Sequence, residues 1–135
     1  MRSSFDTDKI LFSLLSGSPV KAALSGGIYY DGGRPDDSNR EDIVIGTVTV
    51  TQESYPQEGV SYVNVYVPDK DERIDGRQQM KANRSRLEAL SGMVTDILMN
   101  ARIDGVGLAV ENQTVLQDAA IGQHRLVIRI RFILE

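Results

Sequence analysis

HRLVIRIRFILE, residues His124–Glu135, alternates in polarity and is rich in β-branched side chains, the signature of a strand. Leu126, Ile128, Ile130, Phe132 and Leu134 fall on one face. Arg125, Val127, Arg129, Arg131 and Ile133 fall on the other. A strand with one wholly apolar face has to sit in a sheet, and that face has to be covered by a second layer.

Two further strands are legible upstream. IVIGTVTVT, residues Ile43–Thr51, is dense in β-branched residues. VSYVNVYV, residues Val60–Val67, alternates valine with polar side chains and stops at Pro68. Sequential strands usually pair, so these two are expected to form an antiparallel hairpin. Ile28–Tyr30 is a shorter strand candidate. Val and Leu in GLAV and TVLQD suggest two more before the last strand, with DAAIGQ, residues Asp118–Gln123, as the turn into it.

Helical periodicity supplies the covering layer. Asp6 or Thr7 is the expected cap of a first helix that runs to about Ser16, where Gly17 ends it; Ile10, Leu11, Leu14 and Leu15 form its stripe. Ser18-Pro19 opens a second short turn. Met80, Asn83, Leu87, Leu90, Val94 and Ile97 recur at steps of three and four, which predicts a long helix from about Arg77 to Ala101 with Asp75 as its cap. PDKDERIDG before it reads as a polar linker. The sum is an α+β fold over residues 1–135 as a single domain: two layers, a mostly antiparallel sheet packed by one long helix and a short N-terminal helix.

Composition narrows the function classes. Hydrophobic residues make up 41% and charged residues 25% of the 135 residues, ordinary for a globular chain that folds without staples. There is no cysteine, which excludes disulfides and thiolate metal sites. The formal charge of −4 argues against nucleic acid as a main partner. MRSSFDTDKILFSLLSGS carries acidic residues and only a short apolar run, unlike a signal peptide, and no stretch is long enough to span a membrane.

The search for chemistry yields little. Gly26-Gly27 and Gly32-Gly33 lack the spacing and the lysine of a phosphate loop. His124 is the sole histidine, so a structural role is the better reading than a metal or a triad. Asp36, Asp37, Asn39, Glu41 and Asp42 crowd one loop, and Asp69, Asp71, Glu72 and Asp75 another, but neither has the alternating ligands and central glycine of a calcium loop. The chain is therefore expected to hold no cofactor and no metal, and to be no enzyme.

Two strand faces remain as candidate sites. Tyr62, Asn64 and Tyr66 share one face of their strand, which could bind a sugar or another small ligand or stack bases, though a second packing surface or a protein contact is the better reading. Arg125, Arg129 and Arg131 share a face of the last strand. They fit a solvated surface, a phosphate site, or a protein interface in which arginine forks meet carboxylates of another copy. Asp36, Asp37, Glu41 and Asp42 are the expected carboxylates for such a head-to-tail contact, which closes into a ring where the rotation allows.

The segments DKILFSLLSGSPVKAALSGGIYYDGGRP, YVNVYVPD and HRLVIRIRF, in this order, give the chain a pattern that resembles the tail-completion and tail-terminator proteins of long-tailed bacteriophages and prophages. The resemblance covers nearly the full chain as a pattern of segments. It implies a structural protein of the virion, assembled in the bacterial host cytoplasm, at the tail terminus or head-tail junction. Its partners would be itself, as a ring-shaped homo-oligomer, and other tail or connector proteins, with no membrane. The GGRPDDSNRED and VPDKDERIDG loops depart from the family's usual pattern.

Overall fold

The computed structural model describes residues 1–135. The C-terminal strand, β7 (Gln123–Leu134), lies inside a five-stranded sheet of order β1-β2-β3-β7-β6. Its neighbours are β3 (Gln57–Pro68) and β6 (Val106–Asp118), both antiparallel to it. β2 (Asp42–Val50) pairs antiparallel with β3, as expected. The short β1 (Ile28–Tyr30) adds a parallel edge to β2, and the loop between them returns the chain to the start of the sheet.

Alternation sorts each strand into two faces. Ile43 and Ile45 of β2, Val63, Val65 and Val67 of β3, and Leu126, Ile128, Ile130, Phe132 and Leu134 of β7 make one buried face. Three helices cover it: α1 (Ser4–Ser16), α2 (Pro19–Ala23) and α3 (Arg84–Met99). α3 contributes Leu87, Leu90, Val94 and Leu98, spaced at three and four so that they form one stripe. α1 contributes Leu11 and Leu15, and α2 contributes Val20. The fold is thus α+β, a mostly antiparallel sheet with one parallel pair, packed by the long helix α3 and the short N-terminal helix α1. Pro19 stands in the first turn of α2 after Ser18, as its sequence predicts.

The expected start of the long helix is corrected. Residues Lys70–Ile74 (β4) and Arg77–Lys81 (β5) form a separate antiparallel hairpin, where a linker and the first helical turns were predicted. Asp75 is no cap; Asp75 and Gly76 form the hairpin turn, both at positive φ, 50° and 76°. That is the pairing a tight hairpin turn requires, and Asp-Gly satisfies it. Met80 therefore lies on an exposed strand rather than in the helix stripe. The cap of α3 is Asn83, whose side-chain oxygen accepts from the Arg86 N–H at 3.3 Å. Asn83→Ala is expected to lower the unfolding free energy by about 1 kcal/mol, read by urea denaturation, because it frees that N–H.

Two smaller corrections concern the ends of elements. GLAV and TVLQD are halves of the single strand β6, joined through a bulge between Val110 and Asn112. The extra residue, Glu111, bends the strand without ending it. A 3₁₀ turn, Ala119–Ile121, and Gly122 at φ 64° then lead into β7, where a turn was expected. At the N-terminus the cap is Ser3 rather than Asp6 or Thr7: Asp6 Oδ2 accepts from the Ser3 N–H at 2.7 Å, which holds the Asp6 carboxyl below its ordinary range.

Candidate binding face

The face of the sheet away from the helices carries the side chains that remain. Register decides what meets there. Tyr62 lies opposite Arg129, Asn64 opposite Val127, and Tyr66 opposite Arg125. The tyrosine face of β3 and the arginine face of β7, read from sequence as two separate surfaces, are one surface.

Each arginine but one is engaged within it. Arg129 Nη1 donates to the Tyr62 hydroxyl at 2.8 Å, and its guanidinium carbon sits 5.7 Å from the Tyr62 ring centroid. Arg129 Nε donates to Glu111 Oε1 at 3.3 Å. That hydrogen bond, then the one to Tyr62, raises the Arg129 pKa further above its ordinary value. Arg125 Nη1 donates to the Tyr66 hydroxyl at 3.4 Å, and its Nε lies 3.4 Å from Asp118 Oδ2. Both of those last two atoms are buried without a hydrogen-bonded partner, so charge alone holds them together. Arg131 is exposed and has no ion pair.

Arg34 docks the first acidic loop onto the end of this surface. Its guanidinium lies over the Tyr66 ring, 4.0 Å from the centroid. Its Nε donates to Asp42 Oδ2 and its Nη2 to Gln123 Oε1, both at 2.8 Å. Asp42 also accepts from the Gly27 N–H at 2.8 Å and from the Ser38 hydroxyl. Burial pushes the Asp42 carboxyl up, but the Ser38, Arg34 and Gly27 hydrogen bonds, with the Arg34 charge, outweigh it and leave the pKa lowered. Gln123 Nε2 closes the arrangement by donating to the Ser38 carbonyl at 2.8 Å.

The four carboxylates expected at a partner interface thus divide into two pairs. Asp42 is buried against Arg34, its side chain 1% exposed. Glu41 accepts from Arg86 of α3, Nε at 2.5 Å and Nη2 at 2.9 Å, in a two-pronged contact. Arg86 Nη2 also donates to the Ala23 carbonyl, so this pair ties the loop to α3 and α2. Asp36 and Asp37 are exposed at the loop's tip with no ion pair.

Across β2, β3, β7 and β6 the open face dips into a shallow depression of about 310 Å³, beside Tyr62. Gly46, Val48, Tyr62, Asn64, Leu116, Arg125, Val127 and Asp31 are among its lining residues. Asn64 presents a side-chain amide that makes no hydrogen bond within the chain. The depression therefore offers an aromatic ring, apolar side chains, an unused amide, a carboxylate and a guanidinium. A second hollow, about 390 Å³, shares Asp31, Gly46 and Thr47 and is otherwise lined by Phe5, Asp8, Lys9 and Tyr30. Burial raises the Asp8 pKa there, against the Thr47 hydroxyl that donates to Asp8 Oδ1 at 2.6 Å.

His124 lies beside Asp69, Nδ1 to Oδ1 2.6 Å, and pins the start of β7 to the end of β3. No three or more carboxylate or histidine side chains converge in a way that could hold a metal ion. No helix is long and apolar enough to cross a membrane. Compared with known proteins, the chain matches no family model and no curated sequence.

Sequence reasoning missed Arg34 and Gln123. Arg34 lies in a stretch of Gly, Pro, Asp and Ser that reads as solvated loop, and nothing local marks an arginine that stacks on a strand 32 residues later. Leu116 was read only as part of a strand; its place on the open face follows from pairing with Arg125.

Proposed function

We propose that the protein is a non-catalytic binding module that takes a small polar ligand on the open face of its sheet. The observation that carries this reading is the depression beside Tyr62, with the unused Asn64 amide in its lining. Its volume, about 310 Å³, is at the lower end of small-molecule sites. The chemistry fits a monosaccharide: an apolar sugar face against the Tyr62 ring, and hydroxyls at the Asn64 amide, the Asp31 carboxylate and the Arg125 guanidinium. The arginines are already held by Tyr62, Tyr66, Glu111 and Asp118, so the walls are preformed and little ordering accompanies binding. The depression is open to solvent, so affinity is expected to be weak.

Saturation-transfer NMR with a panel of monosaccharides tests the reading. At least one sugar is expected to receive magnetisation from the protein, and Tyr62→Ala is expected to weaken its binding by tenfold or more, about 1.4 kcal/mol. Binding that survives Tyr62→Ala unchanged would move the site elsewhere.

A second reading, virion assembly at a phage tail terminus or head-tail junction, is favoured by one specific observation. Arg131 on the open face, and Asp36 and Asp37 at the loop tip, are exposed charges of opposite sign without partners in their own chain. They suit a head-to-tail contact between copies. Arg131→Ser would then dissolve the oligomer and leave the sugar response intact, which separates the two readings.

A further inference from the structure

We propose that β6 is a self-pairing edge: two copies join Asn112–Asp118 antiparallel across a two-fold axis, with Val115 opposite Val115, to make one continuous ten-stranded sheet. The proposal is independent of the ligand reading.

The sheet has two edges, and they are protected very differently. At one, β1 is only 3 residues long, and the loop after it is docked by Arg34. Short edges of that kind resist pairing with other chains. At the other, β6 runs for 13 residues with no strand beyond it. Its first half is shielded: Val106, Leu108 and Val110 pack partly under the helical layer, and the Glu111 bulge disrupts the ladder there.

The second half has no such protection. Asn112 to Gln117 reads NQTVLQ, six residues without a charge, a proline or a glycine. Its outer row of backbone N–H and C=O groups faces away from β7. Val115 is 50% exposed on the helix side of the sheet and Leu116 is 40% exposed on the open side. Apolar surface on both faces of an uncharged edge is what natural sheets avoid unless the edge is covered.

A second copy supplies the cover with matching chemistry. With Val115 on the axis, Thr114 meets Leu116, Gln113 meets Gln117 and Asn112 meets Asp118. No charge faces a like charge. The two acids that bound the run already have arginines of their own chain, Glu111 with Arg129 and Asp118 with Arg125. The contact is isologous and closes at two copies. Each open face would continue into the other, placing the two depressions on one side of the dimer.

Because the chain has no cysteine, Val115→Cys introduces its only thiol, and any disulfide it forms is between chains. Residues directly opposite on an antiparallel pair approach to about 4.5–5.5 Å between Cβ atoms, near the span of a disulfide. Val115→Cys is expected to run as a covalent dimer on a non-reducing gel. Met99→Cys, exposed at the end of α3, is expected to remain single. Light scattering coupled to size exclusion is expected to give the mass of two 14.9 kDa chains for the wild type. Val115→Lys, tolerated at a half-exposed site, is expected to halve that mass with an unchanged circular dichroism spectrum. A wild-type mass of one chain, a larger ring that Val115→Cys does not cross-link, or a dimer that survives Val115→Lys overturns the proposal.

Discussion

Arg34→Ala is expected to lower the unfolding free energy by about 3–5 kcal/mol, measured by urea denaturation at neutral pH, because it strands a buried carboxylate. Asp42 is almost fully enclosed, and Arg34 is its one cationic partner. The same substitution removes the Arg34 N–H that donates to Gln123 Oε1 and the cation over Tyr66. Arg40→Ala, six residues along the same loop and exposed, is expected to change stability by no more than about 0.5 kcal/mol.

The pH dependence has a definite sign. The folded state holds the Asp42 carboxyl below its ordinary pKa. Its contribution is therefore fully present above the unfolded-state value, about 3.9, and is lost as the pH falls through the lower folded value. The gap between wild type and Arg34→Ala should be widest near neutrality and should narrow in acid once Asp42 takes up its proton. Denaturation curves at neutral pH and below the ordinary carboxylate range measure both ends. A gap that stays constant across that interval would mean that the Arg34–Asp42 pair is not what holds the loop.

Phe132→Ala is expected to cost about 3–5 kcal/mol, the loss for emptying a large aromatic site in a packed core. Phe132 is fully buried between the sheet and the helices. The next residue back, Arg131, is exposed on the other face, and Arg131→Ala is expected to be neutral within about 0.5 kcal/mol. One strand thus gives two neighbouring substitutions with effects that differ severalfold. Similar losses at both positions would contradict the assignment of faces along β7.

The same alternation explains why β7, β3 and β2 were legible in the sequence. Each has one buried face, so its period is written in valine, isoleucine and leucine. The β4–β5 hairpin has no buried residue, so KDERI and RQQMK carry no hydrophobic period. Asp75-Gly76 was the one local signal for a turn there. Met80 and Asn83 happened to fall in phase with α3, which drew the predicted helix backwards over a strand. β6 was split in two for a related reason: its distal half is exposed on both faces, and its alternation is nearly silent.

The candidate site was legible only in halves. Tyr62, Asn64 and Tyr66 on one strand, and Arg125 and Arg129 on another, are each marked by a period of two. That they form one surface depends on the β3–β7 register, which pairs Tyr62 with Arg129 across 67 residues of chain. Arg34 and Gln123 are separated by 89 residues and meet through polar side chains alone. Such contacts leave no local pattern. Glu41 and Asp42, read as free carboxylates for a partner, were drawn inward by Arg86 and Arg34 for the same reason.

Amide chemical-shift mapping of the isotope-labelled protein, titrated with the monosaccharide panel, tests the binding face most directly. The account predicts saturable shifts clustered on Gly46, Tyr62, Asn64, Leu116 and Val127, and their loss in Tyr62→Ala. Saturable shifts confined to the helical layer or to the β4–β5 hairpin, with the open face unmoved, would contradict it.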